Sequence, residues 1–396
     1  MIGASAALAL LLVLSASDTT EADRLFAAQR YEEAAAAYRA LLSDDPANPA
    51  LGLRLGASLL NLGRPDEAVP VLEGAETGSP ADPAVLQVLG QAYLAAGRFD
   101  EAAARFRRLL EDRPGDPGLL VRLGACQYQG GELEGAATSF RTALETQPDN
   151  PRALAGLGMS LNGLERPAEA RPVLERAVAR APSDRMARLA LAHTLAELGE
   201  FLRADELLRS LTAEAPGDWE AWSVLARLRF RQSYHEQALE ALDRCLALRP
   251  GDADTRILRA RSLVKLGRLP EAQEVFEGLA ADPEVAADWE FLLGYAEYSF
   301  SAGDLVAALT RIDAALSRKP GSGLLHYWRA RVLHYEGDAA GARAEAERAV
   351  SLSPGLREPR GLLVRIYQAQ GLEAEAAEQI EWLRAREGEV ARGVRR

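Results

Sequence analysis

The stretch PAVLQVLGQAYLAAGRFDEAAARFRRLLEDRPGD, residues 83–116, decides the fold of this chain. Apolar residues recur at helical spacing in both of its halves, which predicts two amphipathic helices. Gly97 separates the halves and is a residue typical of the position just past a helix end. Pro114 and Gly115 end the second helix. The stretch is therefore predicted to form one antiparallel helix pair, whose apolar positions are Leu86, Leu89, Tyr93, Ala102, Phe106 and Leu109.

The pattern of residues 83–116 repeats along the chain every 34 residues. Alanines keep this period with one interval of 36, and prolines and glycines keep it in the same register, the glycine position becoming Ala in later units. Such regularity predicts a repeat array in place of two or three ordinary domains. The periodic residues are Ala34, Ala68, Ala102, Ala136, Ala170, Ala204, Ala238, Ala272, Ala308, Ala342 and Ala376; Pro46, Pro80, Pro114, Pro148, Pro182, Pro216, Pro250, Pro320 and Pro354; and Gly56, Gly90, Gly124, Gly158, Ala192, Ala226, Ala260, Ala296 and Ala330.

Small residues on the period are predicted to lie where two antiparallel helices approach closely. Large residues such as Phe106 then fill the space between successive pairs. We therefore expect an alanine on the period, such as Ala204, to be packed more tightly than Ala103, which lies one position off it.

This pattern resembles the tetratricopeptide repeat, W-x2-L-G-x2-Y, then A-x3-F, then P. We count eleven units, starting near residues 15, 49, 83, 117, 151, 185, 219, 253, 289, 323 and 357. The resemblance implies an all-α fold, an α-α superhelical solenoid of about eleven helix pairs, in which the first helix of each pair lines the concave face that binds peptides or proteins. The matching residues are Leu86, Leu89, Gly90, Tyr93, Ala102, Phe106 and Pro114, and later Trp222, Leu225, Ala238 and Pro250.

The chain divides into four predicted parts, the first of which is residues 1–17. Residues 18–282 hold units one to eight, and residues 283–386 hold units nine to eleven, after a two-residue insertion within residues 280–288. Arg384 occupies a position that is usually apolar, so the last unit is predicted to cap the array with a polar outer face. Residues 387–396 form a basic tail, for which a solvated end is the simpler interpretation.

Two arginines, Arg259 and Arg329, replace the Leu that the pattern places in the core. A long basic side chain buries its stem while its charged head reaches water. We therefore expect both stems to pack and both guanidinium groups to reach solvent.

Residues 1–17 are predicted to be a signal peptide or a membrane-targeting segment. Ile2 to Ser17 carry no charge, and this run is shorter than the ~20 apolar residues of a membrane-spanning helix. Asp18 and Glu21 follow at once as a helix cap, so cleavage near Ser17 would release a chain that begins with a helix. An exported protein of the periplasm or cell envelope is the first interpretation. An uncleaved inner-membrane anchor and an apolar first helix are the alternatives.

Composition and motifs exclude several classes of function. The chain has 46 basic and 58 acidic residues, a net charge of −12, so it lacks the basic footprint of a nucleic-acid-binding protein. Two cysteines exclude a disulfide framework and a four-cysteine zinc site. The spacing of Gly156 and Gly158 resembles a dinucleotide fingerprint, but it falls inside a predicted helix. His326 and His334 lack a third metal ligand nearby. We therefore predict no catalytic site, no metal and no cofactor.

The resemblance also assigns the groove-facing positions of each first helix. In units two to six these positions are almost uncharged, whereas in units seven to eleven they are basic and aromatic. Arg pairs with carboxylates and Tyr anchors apolar side chains, so the second surface is predicted to bind a protein or an extended peptide, and an acidic one fits its charge. A solvated face neutralised by Glu220, Asp254 and Glu358 is the alternative. The predicted binding residues are Arg227, Arg231, Arg261, Lys265, Tyr327, Arg331, His334, Tyr335 and Arg365.

These observations predict a non-catalytic scaffold that mediates protein–protein or protein–peptide interaction. The alternative is a regulatory or accessory subunit of an enzyme complex. Membrane contact is expected only through the first residues, if they are not removed.

Overall fold

The computed structural model describes residues 21–393, and all regular structure within that range is helical. Residues 1–17, the predicted leader, lie outside the described residues. The helices are α1 Glu21–Ala27, α2 Tyr31–Asp44, α3 Pro49–Asn61, α4 Pro65–Gly78, α5 Pro83–Ala95, α6 Phe99–Asp112, α7 Pro117–Gln129, α8 Leu133–Thr146, α9 Pro151–Gly163, α10 Pro167–Arg180, α11 Arg185–Glu197, α12 Phe201–Glu214, α13 Trp219–Arg231, α14 His235–Leu248, α15 Ala253–Lys265, α16 Leu269–Ala280, α17 Pro283–Ala286, α18 Trp289–Ser301, α19 Leu305–Arg318, α20 Gly323–Glu336, α21 Ala339–Leu352, α22 Glu358–Ala369 and α23 Glu373–Gly393.

Helix pairs joined by short turns make up the whole described array. Within residues 21–197 and within residues 219–393, the two helices of each pair pack on each other, and the second helix of one pair packs on the first helix of the next. The chain divides into two compact units, residues 1–207 and 208–396. The division lies within α12. The short helix α17 holds the two-residue insertion. A functional division near residue 283 stays a prediction.

Turn chemistry explains where the helices of residues 83–116 begin and end. Pro83 opens α5, and the Asp82 carboxylate accepts a hydrogen bond from the Ala84 backbone N–H at 2.8 Å. Gly97 then adopts a φ of +74°, a left-handed conformation that costs glycine little. The chain therefore reverses direction between α5 and α6, as the sequence predicts.

The small residues on the period lie in the tightest helix contacts, which confirms their predicted role. All eleven periodic alanines have an exposed fraction of 2% or less. A Cβ added at Gly56 or Gly158 would come within 2.4 Å of Leu72 or 2.3 Å of Leu174, each sixteen residues further on in the second helix of the same pair. Each helix pair therefore closes on a small residue that faces a large one.

Ala103, one position off the period, is buried as well. Its exposed fraction is 3%, close to the 0% of Ala102 and Ala204, because α6 buries two adjacent alanines against its neighbours. The exposed alanine of this run is Ala104. A comparison of alanine sites within α6 must therefore use Ala104 as the surface position.

The side chains of Arg259 and Arg329 are 28% and 32% exposed, and their guanidinium groups form ion pairs at the surface. Arg259 Nε donates to Asp243 at 2.9 Å, and Arg329 donates to Asp313 and Glu345, both at 2.8 Å. Asp243 and Asp313 belong to the second helix of the preceding pair. The two arginines therefore connect successive pairs through ion pairs.

The carboxyl-terminal end of the array is polar, as predicted. Arg384 is exposed on α23, while Trp382 lies under the Arg360 guanidinium at 4.1 Å. Helix α23 continues to Gly393, so the predicted tail begins within this helix and not after it.

Candidate partner-binding face

Residues at one repeat position dominate the predicted face of residues 208–393. The first helices α13, α15, α18, α20 and α22 carry Arg227, Arg261, Glu297, Arg331 and Arg365 in that order at the ninth position of their units. Helix α13 contacts α15, α15 contacts α18, and α20 contacts α22, while Phe300 of α18 meets Trp328 of α20 with ring centroids 5.9 Å apart. These side chains therefore follow one another along one face. The face contains two clefts, separated by a buried charge cluster.

The first cleft, which we call the Arg227 cleft, lies between α13 and α15 and has a volume of about 240 Å³. Its apolar wall is formed by Phe230, Ile257 and Leu258. Arg227 approaches Asp254 of the next unit to 3.9 Å. The rim thus carries both signs of charge; its residues are Arg227, Arg231, Asp254, Arg261 and Glu290.

The second cleft, which we call the Arg331 cleft, lies between α20 and α22 and has a volume of about 500 Å³. Leu362 contributes an apolar surface, and the remaining lining is basic or aromatic. Tyr335 is 71% exposed and contacts Phe300 edge-on, with ring centroids 5.0 Å apart. The cleft residues are Arg331, His334, Tyr335, Leu362 and Arg365, of which only Leu362 was not among the predicted binding residues.

A buried carboxylate lies between the two clefts. Glu297 is 1% exposed, and its carboxylate accepts a hydrogen bond from Arg261 at 2.9 Å and pairs with Lys265 at 3.2 Å. Burial raises the pKa of Glu297, but the attraction of Arg261 and Lys265 and their hydrogen bonds outweigh it, so the pKa lies below its ordinary value. Arg261 and Lys265 are therefore compensated cations.

Aromatic rings hold the cations at the centre of the face. Lys265 Nζ lies 5.0 Å from the Trp328 ring centroid, and the Arg331 guanidinium lies 4.3 Å from the same ring. Arg331 is also 4.9 Å from the Phe300 ring. Cation–π contacts of this kind fix a guanidinium without cancelling its charge. Arg331 is thus oriented toward the cleft while it remains positive.

The structure brings most of the predicted residues to one face but gives them different environments. Lys265 lies outside both clefts, and Tyr327 is half-buried, with a pKa raised by burial. Asp254, in the same helix as Arg261, was the expected partner of that arginine. In the structure Arg261 pairs with Glu297 of the next unit instead.

Three residues that shape the face were missed as partners of the cations: Glu297, Phe300 and Trp328. The sequence does contain an indication that Glu297 pairs with Arg261, since the two residues occupy the same repeat position in adjacent units. Trp328 lies three positions before Arg331 and so on the same side of α20. Each of the three side chains contacts its cation across a boundary between units, and the sequence of one unit does not reveal such contacts.

The groove positions of units two to six are almost uncharged, and they include Gln91, Met159 and Asn162. The Asn162 side-chain oxygen accepts a hydrogen bond from the buried Thr194 hydroxyl of the next unit at 2.9 Å. This polar side chain is therefore already used in a contact between units.

Within residues 21–393, no group of three His, Cys, Asp or Glu side chains is arranged to hold a metal ion. His326 is buried between Glu345 at 2.6 Å and the Pro320 carbonyl at 3.1 Å. Cys126 and Cys245 are buried free thiols, and burial raises the pKa of each to about 12. None of the helices in residues 21–393 is both long and apolar enough to cross a membrane.

Gly156 and Gly158 lie within α9, where a Cβ would collide with Phe140 and Leu174. They are packing positions and not a phosphate-binding turn.

Comparison with protein families gives matches along most of the chain. One tetratricopeptide repeat model matches residues 25–92, 59–112, 161–228 and 230–290, and a second matches residues 88–151, 131–185 and 300–356. No curated protein matches the chain significantly in sequence.

The human IFIT1 and Cut9–Hcn1 structures share the α-solenoid fold of this chain at low sequence identity. A human IFIT1 dimer with PPP-AAAA has a TM-score of 0.53 and 19% identity, over 91% of this chain and 86% of that one. The APC/C hetero-tetramer Cut9–Hcn1 has a TM-score of 0.50 and 13% identity, over 95% of each chain. PilW, a type IV pilus biogenesis factor, has a TM-score of 0.47 and 23% identity, over 50% of this chain and 93% of that one.

Proposed function

This chain belongs to the tetratricopeptide repeat family, and we propose that it is a non-catalytic scaffold that binds a partner protein through the first-helix face of residues 208–393. The family fold is in general an interaction scaffold. The observation that supports a specific face is the pair of clefts between first helices, each lined by arginine and an aromatic ring.

A protein segment suits this face better than a small molecule does. Successive ninth positions are one unit apart, about 10 Å by the usual spacing of packed helices, and the two clefts are three units apart. A ligand that touches both clefts must therefore be long and extended. Arg331 and Arg365 favour acidic groups, and the exposed Tyr335 ring offers an apolar anchor.

We further propose that the protein acts outside the cytoplasm, in the periplasm or cell envelope. The support is the uncharged run Ile2 to Ser17 followed by a helix cap. The test is fractionation of expressing bacterial cells together with the intact mass of the recovered protein. The mature chain should begin near Asp18, and a full-length chain in the cytosol would contradict this part of the proposal.

A photo-crosslinking amino acid tests whether partners use the first-helix face. Tyr335 on α20 and Val306 on α19 are matched positions, because they are 71% and 74% exposed but lie on a first and a second helix. Each is replaced in turn by benzoylphenylalanine, and irradiated cells are analysed by mass spectrometry. We expect discrete protein adducts at position 335 and few at position 306.

Equal adduct patterns at the two positions would overturn the proposed face. A nucleic-acid partner is also part of the test, since a net charge of −12 argues against one. The PPP-AAAA oligonucleotide, present in the IFIT1 structure, should not reduce crosslinking at position 335.

A further inference from the structure

We infer that the first-helix face of residues 208–393 recognises a two-part segment, with acidic side chains in the Arg331 cleft and an apolar side chain in the Arg227 cleft. This inference rests on the proposed function and adds the chemistry of the ligand and its orientation along the array. It follows from how the structure compensates the cations of the face.

Charge compensation divides the face into two parts. Arg227 has Asp254 at 3.9 Å, while Arg261 and Lys265 share the buried Glu297. Among the described residues, Arg331 and Arg365 have no carboxylate within ion-pairing distance. The uncompensated positive charge is therefore concentrated in the Arg331 cleft, where His334 adds a further hydrogen-bonding group. Acidic side chains gain most by docking there.

The Arg227 cleft has the opposite character. Its wall is apolar, formed by Phe230, Ile257 and Leu258, and its arginines face Asp254 and Glu290 on the same rim. An acidic group placed there would meet both signs of charge and gain little. An apolar side chain would instead be removed from water against the wall. We therefore assign the apolar part of the segment to this cleft.

The buried cluster between the clefts separates the two parts. Glu297 is paired with Arg261 and Lys265, and these two cations lie against the rings of Phe230 and Trp328. The charges of this cluster therefore compensate one another. The Arg227 cleft spans α13 and α15 and the Arg331 cleft spans α20 and α22, three units further on. At about 10 Å per unit this is roughly 30 Å, which an extended chain covers in about nine residues.

The acidic part consists of side chains and not of a free carboxyl terminus. Arg331 and Arg365 belong to adjacent units, whose first helices are about 10 Å apart by helix packing. One terminal carboxylate pairs with both arginines only if their side chains converge on it. Two or more acidic side chains in succession can pair with the two arginines separately, and the volume of about 500 Å³ leaves room for them.

A displayed library of random sixteen-residue peptides, fused at both ends, tests the inference on the full-length chain. The wild-type protein should enrich peptides with two or more Asp or Glu residues about nine positions from a Leu, Ile or Phe. Arg331→Glu/Arg365→Glu should remove the acidic preference and keep the apolar one. Arg384→Glu, on the outer face of the last unit, is the matched control and should keep both.

Affinity measurements on one enriched peptide complete the test. Fluorescence anisotropy should show binding to Arg331→Glu/Arg365→Glu weakened by about tenfold or more, and binding to Arg384→Glu within about twofold. Replacing the apolar residue of the peptide should weaken binding to the wild type but have a smaller effect with Phe230→Ala. Amidation of the peptide's carboxyl terminus should leave the affinity within about twofold.

Several outcomes would overturn the inference. They are an enriched set without acidic residues, an acidic preference that survives Arg331→Glu/Arg365→Glu, loss of binding on amidation, and no enrichment at all. If one of these occurs while crosslinking at position 335 still exceeds that at position 306, the ligand chemistry is wrong and the proposed scaffold function stands. Equal crosslinking at both positions shows that the proposed binding face itself is wrong.

Discussion

At the scale of single residues, neighbours decide what an arginine at the ninth repeat position does. Arg261 and Arg331 occupy the same repeat position, each on the first helix of its own unit, yet Arg261 pairs with a buried carboxylate and Arg331 lies on aromatic rings. The difference arises because the unit between them carries Glu297 at the same position. One substitution in the series Arg, Arg, Glu, Arg, Arg thus converts a uniform stripe into two distinct clefts.

Replacement of Glu297 by Gln should destabilise the second compact unit. The change leaves Arg261 and Lys265, whose side chains are 16% and 32% exposed, without their buried counter-charge. Loss of one partner of a buried pair costs about 3–5 kcal/mol, and partial exposure of the cations lowers our expectation to about 2–3 kcal/mol. Urea unfolding followed by circular dichroism measures the loss. Glu290→Gln, on the exposed side of α18, is the control and should stay within about 0.5 kcal/mol.

The same pair predicts a pH dependence. The pKa of Glu297 is lowered from its ordinary value of 4.5, so the unfolded chain takes up this proton first as the pH falls. The stabilisation is complete above about pH 4.5 and is lost as the pH falls through the lower folded-state pKa. The difference in unfolding free energy between wild type and Glu297→Gln should therefore be constant near neutral pH and shrink in acid. A difference independent of pH down to the acid transition would contradict this assignment.

The periodic alanines predict a contrast within one helix. Ala102 is 0% exposed in α6, and Ala104, two positions on, is exposed. Ala102→Leu forces extra methylenes into a closed contact and should cost about 1–3 kcal/mol, whereas Ala104→Leu should stay within about 0.5 kcal/mol. Thermal or urea unfolding of the two variants measures the contrast. Equal midpoints would show that the small residue is not required at this contact.

At the scale of the helix, the turn inside each pair has one residue with positive φ. Eight units place Gly there, as in Gly97, but three units have Gln29, Glu165 and Ser233, with φ of 59°, 58° and 62°. The left-handed conformation destabilises the folded state by about 1–2 kcal/mol at a non-glycine residue. Replacement by glycine removes this strain, but part of the gain is lost because glycine has more conformational freedom in the unfolded chain. Glu165→Gly and Ser233→Gly should therefore each stabilise the protein by about 0.5–1 kcal/mol. Gly97→Ala should do the reverse, and differential scanning calorimetry can rank all three; destabilisation by both glycine variants would refute the argument.

The sequence predicts helices well in this chain because the determinants of each helix are local. Pro83, Gly97 and Pro114 define the boundaries of α5 and α6 through their own backbone preferences. The candidate site was predictable only in part. The series of arginines is visible in the sequence, but the pairing of Glu297 with Arg261 joins residues 36 positions apart. Which cation it compensates depends on the packing of α15 against α18, and no local preference determines that packing.

At the scale of the whole molecule, stability is a sum over units and their interfaces. Each helix pair exposes an apolar face that only its neighbours cover, and the small periodic residue closes the pair itself. A repeat array of this kind has no single core whose loss unfolds everything. The destabilisation caused by one substitution should therefore be largest in its own unit and the adjacent units, and smaller in units further along the chain.

Hydrogen exchange of Ala102→Leu tests this locality. The added side chain strains α6, which packs on α5 and α7, so exchange should accelerate across residues 83–129 and less strongly in the adjoining helices. Helices several units away, such as α19 and α21, should exchange at wild-type rates, because the nearest-neighbour coupling weakens at every interface it crosses. Mass spectrometry of peptic fragments resolves these segments. Ala104→Leu supplies the baseline for any effect of an added leucine on α6. Uniform acceleration over all described helices would show one cooperative unit instead, and the destabilisation measured for Glu297→Gln would then also reach the first compact unit.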